Sequence, residues 1–143
     1  MDNLTAVVLV GGLGTRLRPL TVDIPNTMIP VLNRPFLEHL ITSLKTHGVK
    51  RVILASGYQP DVIEDYFGGG LDLGLEISYA VEDSPLGTSG AVKAAAGDIS
   101  NTFLVLNGDV VMDLDITRFL VRHKATSASA TIALYRVDDP SHY

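Results

Sequence analysis

Short apolar runs rich in β-branched residues alternate along this chain with longer stretches of helical period. That alternation constrains the fold more than any other feature. Thr5–Val10, Arg51–Ala55, Leu75–Val81, Thr102–Leu106 and Ser129–Val137 read as five strands. The first lacks polar alternation, as a strand covered on both faces should. Between them, Pro35 suits a first helical turn, and Leu37, Leu40, Ile41 and Leu44 recur at helical spacing up to a stop at Gly48. Pro60–Phe67 reads as a second helix, broken by Gly68-Gly69-Gly70, and Thr88–Ala96 as a third, ended near Gly97. Asp115 is placed to cap a fourth helix running to Lys124. Strand–helix alternation of this kind implies an α/β protein with a parallel, doubly wound sheet and right-handed crossovers. Ligands of such sheets gather beyond the carboxyl ends of the strands. Three loops are marked in advance by that rule: residues 11–20, residues 82–88, and Asn107-Gly108-Asp109.

Composition narrows what those loops can meet. The 143 residues, 46% hydrophobic and 19% charged, suit one globular domain spanning 1–143 with a real core. A net charge of −5 supplies no basic field for nucleic acid, so a polyanionic ligand must be held by local cations or backbone amides. Cysteine is absent, which removes disulfides and thiolate metal sites and fits a reducing cytoplasm. The stretch MDNLTAVVLVGG carries an acid where a signal peptide would be basic, and its apolar run is too short to span a membrane. The terminal residues 138–143 follow a strand with no closing helix and read as a cut. A sheet stopped there exposes an unpaired edge, an opening for homo-oligomer formation.

The loop Gly11-Gly12-Leu13-Gly14-Thr15-Arg16-Leu17-Arg18 carries the strongest chemical signal. Glycines after a strand let backbone N–H groups approach an anion without a Cβ in the way. A dinucleotide fingerprint starting at Gly12 would need glycine where Leu17 stands, which counts against an NAD-binding dehydrogenase domain. A triphosphatase loop would need Gly-Lys followed by Ser or Thr, and none exists here. Arg16 and Arg18 supply forks that match phosphate oxygens. A glycine turn with two solvated arginines is the plainer and weaker alternative. At Asn107-Gly108-Asp109 a carboxylate at a strand's carboxyl end suits Mg²⁺, which takes one or two carboxylates plus phosphate oxygens. The same tripeptide is also excellent turn sequence; beside the first loop the metal reading leads. Asp113 and Asp115 read as turn and cap residues. In Glu82-Asp83-Ser84-Pro85-Leu86-Gly87-Thr88, Gly87 leaves room for the flat edge of a base and Glu82 can accept from a ring amino or imino group. An acidic turn capped by Thr88 fits that spacing equally well. The four histidines show no metal or triad spacing: His39, His47 and His123 read as helix-surface residues and His142 as tail.

Taken together, the words VGGLGTRLRPLT (10–21), MIPVLNRPFLEH (28–39), EDSPLGTSGAV (82–92) and LNGDV (106–110) resemble the sugar-1-phosphate nucleotidyltransferases, also called sugar nucleotide pyrophosphorylases. The first is most similar to mannose-1-phosphate guanylyltransferases, with thymidylyl- and uridylyltransferases as near relatives. The resemblance covers nearly the whole chain and matches the N-terminal part of the family. It implies a Rossmann-like three-layer α/β/α fold and a cytoplasmic enzyme that joins an NTP to a sugar 1-phosphate, with Mg²⁺ as cofactor and pyrophosphate leaving. It also implies that Gly11, Gly12, Gly14 and Thr15 line the nucleotide, that Arg16 steadies the β- and γ-phosphates, that Glu82 and Gly87 meet the base, and that Asp109 holds Mg²⁺.

Two departures stand out. Family members write Pro-Lys-Pro-Met where this chain has Pro25-Asn26-Thr27-Met28, so Asn26 occupies the place of a catalytic lysine. One charge pair at ~4 Å and an effective dielectric of ~20 is worth about 4 kcal/mol as a ceiling. Losing most of that in the transition state slows turnover roughly 10²- to 10³-fold. Family members also continue past residue 143, into a part that supplies most of the sugar pocket and a second metal-binding aspartate. The alternative function is therefore a nucleotide- or sugar-nucleotide-binding module with impaired or no catalysis.

Overall fold

A computed structural model describes residues 4–84, 86–97, 99–139 and 141. Pro85 and His142, named above, lie outside them. The chain gathers into two compact units, Met1–Met112 and Asp113–Tyr143.

The first unit is built on four parallel strands: β1 (Leu4–Leu9), β4 (Val49–Ser56), β5 (Glu76–Val81) and β6 (Leu104–Asn107), in the order β5-β4-β1-β6. A two-residue antiparallel ribbon, β2 (Pro30–Val31) with β3 (Arg34–Pro35), lies between β1 and helix α1 (Phe36–Thr46) in the chain. Helix α2 (Pro60–Phe67) joins β4 to β5, and α3 (Gly87–Ala95) leads from β5 to β6. The first two crossovers step outward from β1; the third returns across it to β6. Right-handed crossovers then put α3 on the opposite face from α1 and α2. The sheet and helices have the Rossmann-like α/β arrangement expected from the sequence.

Local reasons for each element are plain. In β1 every residue from Leu4 to Val8 is buried, as continuous apolar sequence demands. Helix α1 buries Leu37, Ile41 and Leu44 completely, one stripe at i, i+4, i+7. Burying such a side chain is worth about 1.5–3 kcal/mol. Pro35 is the residue before this helix rather than part of its first turn, because its ψ of 141° is extended and it ends β3. Helix α2 begins with Pro60 and ends at Gly68, as expected. On the other face Val7, Ile53 and Ala55 of the sheet pack with Ala91 and Ala95 of α3. Small alanines there let the helix approach the sheet closely.

In the second unit Asp115 caps α4 (Ile116–Thr126) by accepting the Arg118 N–H at 2.9 Å, as its sequence position predicts. The expected fifth strand is not formed. Residues 129–137 pair with no strand among the described residues, and Ile132, Leu134 and Tyr135 are 78%, 90% and 90% exposed. Alternating β-branched sequence supplies the propensity for a strand, but a ladder needs a hydrogen-bonding neighbour. His123 turns its Nδ1 to Thr131 Oγ1 at 2.8 Å instead of standing free on the helix surface.

Candidate nucleotide site

The strand register brings the marked loops to one edge. Leu9 of β1 lies beside Ala55 of β4 and Asn107 of β6, and Ser56 lies beside Val81 of β5. The loops that follow therefore leave the sheet side by side. They are also stitched together: Val10 donates to Ala55 O at 2.8 Å, Gly108 to Leu9 O at 2.8 Å, and Glu82 to Ser56 O at 2.9 Å. Because β4 and β6 flank β1 and the chain reverses its direction of travel there, the crevice beyond β1 and β6 is the topological switch point.

The glycine loop crosses this crevice. The amides of Gly11 to Thr15 donate to no protein acceptor among the described residues. Gly14 adopts φ +57°, and a Cβ there would stand 2.8 Å from Asn26 Cβ and 3.0 Å from Thr21 Cγ2. Only glycine fits, in conformation and in space. Thr15–Leu17 forms a single 3₁₀ turn, and its start is fixed when buried Thr21 donates its hydroxyl to Gly14 O at 2.7 Å. Arg16 and Arg18 are exposed and enter no ion pair among the described residues, so their guanidinium groups stand ready for an anion.

Asn26 sits beneath the loop, at the head of the 3₁₀ turn Asn26–Met28. Its Nδ2 donates to Asp109 Oδ2 at 3.1 Å, linking positions 83 apart in the chain. Its Oδ1 is buried and has no hydrogen-bond partner among the described residues. A Cβ added to Gly12 would lie 3.9 Å from Nδ2 and 4.0 Å from Oδ1 of the same amide. The Asn26 side chain thus spans from glycine loop to Asp109. Gly108, just before that aspartate, is packed so closely that a Cβ would meet Val10 Cγ1 at 2.7 Å and Leu9 O at 2.9 Å. Asp109 is exposed at the end of β6.

On the β5 side, Glu82 Oε2 accepts the Leu86 N–H at 3.0 Å. That bond ties Leu86 back to Glu82, and Gly87 after it starts α3, with φ +70° and open space where a Cβ would be. Thr88 does not cap this helix: it lies inside it, and Leu86 is the residue before it.

Hence Gly11, Gly12, Gly14, Thr15, Arg16, Asn26, Glu82, Gly87 and Asp109 all lie on the loops along one sheet edge, with direct contact between Asn26 and Asp109. Two contributors escape a motif reading. Thr21 anchors the glycine loop. Ser56-Gly57 closes the gap between loops: a Cβ on Gly11 would stand 3.2 Å from Gly57 N, and one on Gly57 would stand 3.9 Å from Glu82 Cβ. A serine–glycine pair directly after a strand was the available signal, the same one that marked the other loops. Away from this edge, His39 Nε2 lies 2.8 Å from Val31 O and ties α1 to the β2 ribbon. Among the described residues no three His, Cys, Asp or Glu side chains gather as a metal cluster, and no helix is long and apolar enough to cross a membrane.

A parallel sheet with this switch point, and a glycine loop at its carboxyl end whose amides donate to no acceptor among the described residues, defines a doubly wound α/β protein. More narrowly, the chain belongs to the nucleotidyl transferase family, whose model matches residues 5–143. The mannose-1-phosphate guanylyltransferase of Mycobacterium tuberculosis is 47% identical over 136 residues, covering 94% of this chain and 38% of the relative. The D-glycero-alpha-D-manno-heptose 1-phosphate guanylyltransferase of Campylobacter jejuni is 41% identical over 138 residues, covering 96% of this chain and 60% of the relative. Among solved structures, HddC from Yersinia pseudotuberculosis complexed with GMP-PN superimposes with a TM-score of 0.76 at 37% identity, over 84% of this chain and 54% of that one. This chain therefore spans less than two thirds of the length of these proteins.

Proposed function

We propose that this chain forms the nucleotide-binding part of a sugar-1-phosphate nucleotidyltransferase that takes GTP and mannose 1-phosphate. The observation that carries the reading is the row of amides from Gly11 to Thr15 that donate to no acceptor among the described residues, on the loop that leaves β1 at the switch point. Phosphate oxygens accept from those amides, and the Arg16 fork neutralises charge on the β- and γ-phosphates. The base lies over Gly87, where nothing obstructs it. Glu82 accepts from it: a carboxylate offers acceptors alone, and guanine is the base that presents adjacent N1–H and N2–H donors. The guanylyltransferase names of the relatives support the same preference.

In the transfer, an oxygen of the sugar phosphate attacks the α-phosphorus in line. The new P–O bond forms as the bond to the β-phosphate bridge breaks, and pyrophosphate departs. The protein's part is positioning and charge neutralisation. Exposed Asp109 offers the hard carboxylate oxygens that Mg²⁺ prefers. When bound, the ion supplies charge neutralisation at the phosphates. The family resemblance implies a cytoplasmic protein, and a chain without cysteine fits that compartment.

Calorimetric titration of the chain with GTP, dTTP, UTP, CTP and ATP in the presence of Mg²⁺ tests the reading. GTP is expected to bind most tightly, and failure of all five to bind would overturn it. A second reading, a binding module without transfer, is favoured by the neutral Asn26. Comparing pyrophosphate release by the full-length protein with that of Asn26→Lys at saturating Mg²⁺ separates the two. Faster release by the lysine variant supports the second reading; equal rates leave transfer intact without the charge.

A further inference from the structure

We infer that the amino-terminal end of the sheet carries a second ligand site, a polar cavity at Lys50 and Arg51 that takes a small phosphate-bearing molecule. It stands apart from the nucleotide-site reading: roughly 16 Å of strand separates Thr5 from the glycine loop, at about 3.3 Å per residue. Parallel register builds the site. Thr5 of β1 lies beside Arg51 of β4, and Arg51 beside Glu76 of β5, so three side chains form a row across three strands. Val7 and Ile53, two positions further along, pack with Ala91 and Ala95, which puts the row on the face covered by α3. Residues 99–102, between α3 and β6, form the opposite wall, and the space between is about 280 Å³.

The lining is rich in donors. Ile99 is its one apolar member among the described residues, while Thr5, Ser100 and Thr102 bring hydroxyls and Asn101 a carboxamide. Arg51 turns its Nε toward Glu76 Oε1 at 3.4 Å, and its terminal amino groups enter no hydrogen bond or ion pair among the described residues. The Arg51 side chain is 36% exposed, so a solute can reach those groups. Lys50 is exposed and likewise has no ion-pair partner among the described residues. Two cations therefore face one carboxylate, a local positive excess on a chain of net charge −5. A guanidinium fork beside an ammonium, with hydroxyl donors around them, matches phosphate oxygens. No aromatic ring lines the cavity to stack a base, and 280 Å³ falls just below the usual range for drug-sized ligands. The occupant is thus inorganic phosphate or a sugar monophosphate rather than a nucleotide, and Glu76 offers acceptors for sugar hydroxyls.

Amide chemical shifts of the ¹⁵N-labelled chain test the site, with inorganic phosphate and mannose 1-phosphate as probes and sodium chloride of matched ionic strength as control. Saturable shifts are expected at Arg51 and residues 100–102 with both phosphates, at a dissociation constant on the order of 1 mM. Arg51→Gln is expected to weaken binding about 10-fold, the worth of a charge-assisted hydrogen bond. Lys50→Gln, at an exposed position that leaves the core untouched, is expected to weaken it roughly 3-fold. Tighter binding of mannose 1-phosphate than of phosphate assigns the site to a sugar phosphate, and equal binding assigns it to the phosphate group alone. The inference is overturned if no shift appears at these residues, or if chloride reproduces the shifts. It also fails if affinity is unchanged in Arg51→Gln, or in Lys50→Gln where the first variant does not fold. Shifts confined to Gly11–Thr15 overturn it too, while supporting the phosphate-binding role of the glycine loop.

Discussion

Gly14 is packed against Asn26 and leaves no room for a side chain of its own. Gly14→Ala places a methyl 2.8 Å from Asn26 Cβ at a backbone φ of +57°. We expect a loss of about 1–3 kcal/mol from strain and overpacking, read by chemical denaturation, with weaker GTP binding by titration. Thr21→Val removes the hydroxyl that fixes Gly14 O and should weaken GTP binding with little change in the sheet. A second residue-scale test concerns Glu38, which is buried yet satisfied: Tyr66 donates to its Oε2 at 2.7 Å and Arg34 approaches Oε1 at 3.5 Å. Tyr66→Phe leaves one carboxylate oxygen without its donor and should cost about 1–3 kcal/mol in an unfolding titration. Sequence could mark Gly14, Arg16 and Asp109 as candidates, because strand-end glycines, arginines and a carboxylate each carry local chemistry. It could not name Thr21 or Glu38, whose importance comes from what lies across from them.

At the scale of elements, the apolar stripe of α1 holds that helix on the sheet. Leu44→Ala should cost about 2–5 kcal/mol, measured by denaturant midpoint, because the site is fully enclosed. Strands β1, β4 and β5 and helices α1 to α4 were legible in the sequence to within a residue or two, since period and punctuation are local properties. Residues 129–137 show the limit. Their β-rich sequence is as persuasive as that of β6, but β6 has β1 beside it and residues 129–137 have no described partner. Pairing is a relation between segments, so propensity alone does not make a strand.

Across the whole molecule, the order β5-β4-β1-β6 places the crevice, while two tyrosines outside it tie stability to pH. Hydrogen bonding to Glu38 raises the Tyr66 pKa above the ordinary 10.0, and burial raises that of Tyr79, whose hydroxyl donates to Gly68 O at 2.8 Å. For both, the folded state favours the neutral phenol. Their contribution is thus complete below pH 10.0 and is lost as pH rises through the higher folded values. The melting temperature should fall on the alkaline side above pH 10.0, and the Tyr66→Phe/Tyr79→Phe double variant should lose part of that slope.

The amino-acid sequence by itself determined the order and kind of β1, α1, β4, α2, β5, α3, β6 and α4, though not the short β2–β3 ribbon, and it marked the loops as candidates. Hydrophobic period, glycine and proline act over a few residues and need no partner. Only the tertiary structure decided that the loops meet, that Ser56-Gly57 bridges them, and that Asn26 reaches a carboxylate 83 positions away. Those facts follow from parallel register and from the reversal of direction at β1, which bring distant strand ends to one edge. A lone asparagine in the sequence is a departure from a motif; beside Asp109 it becomes part of the site.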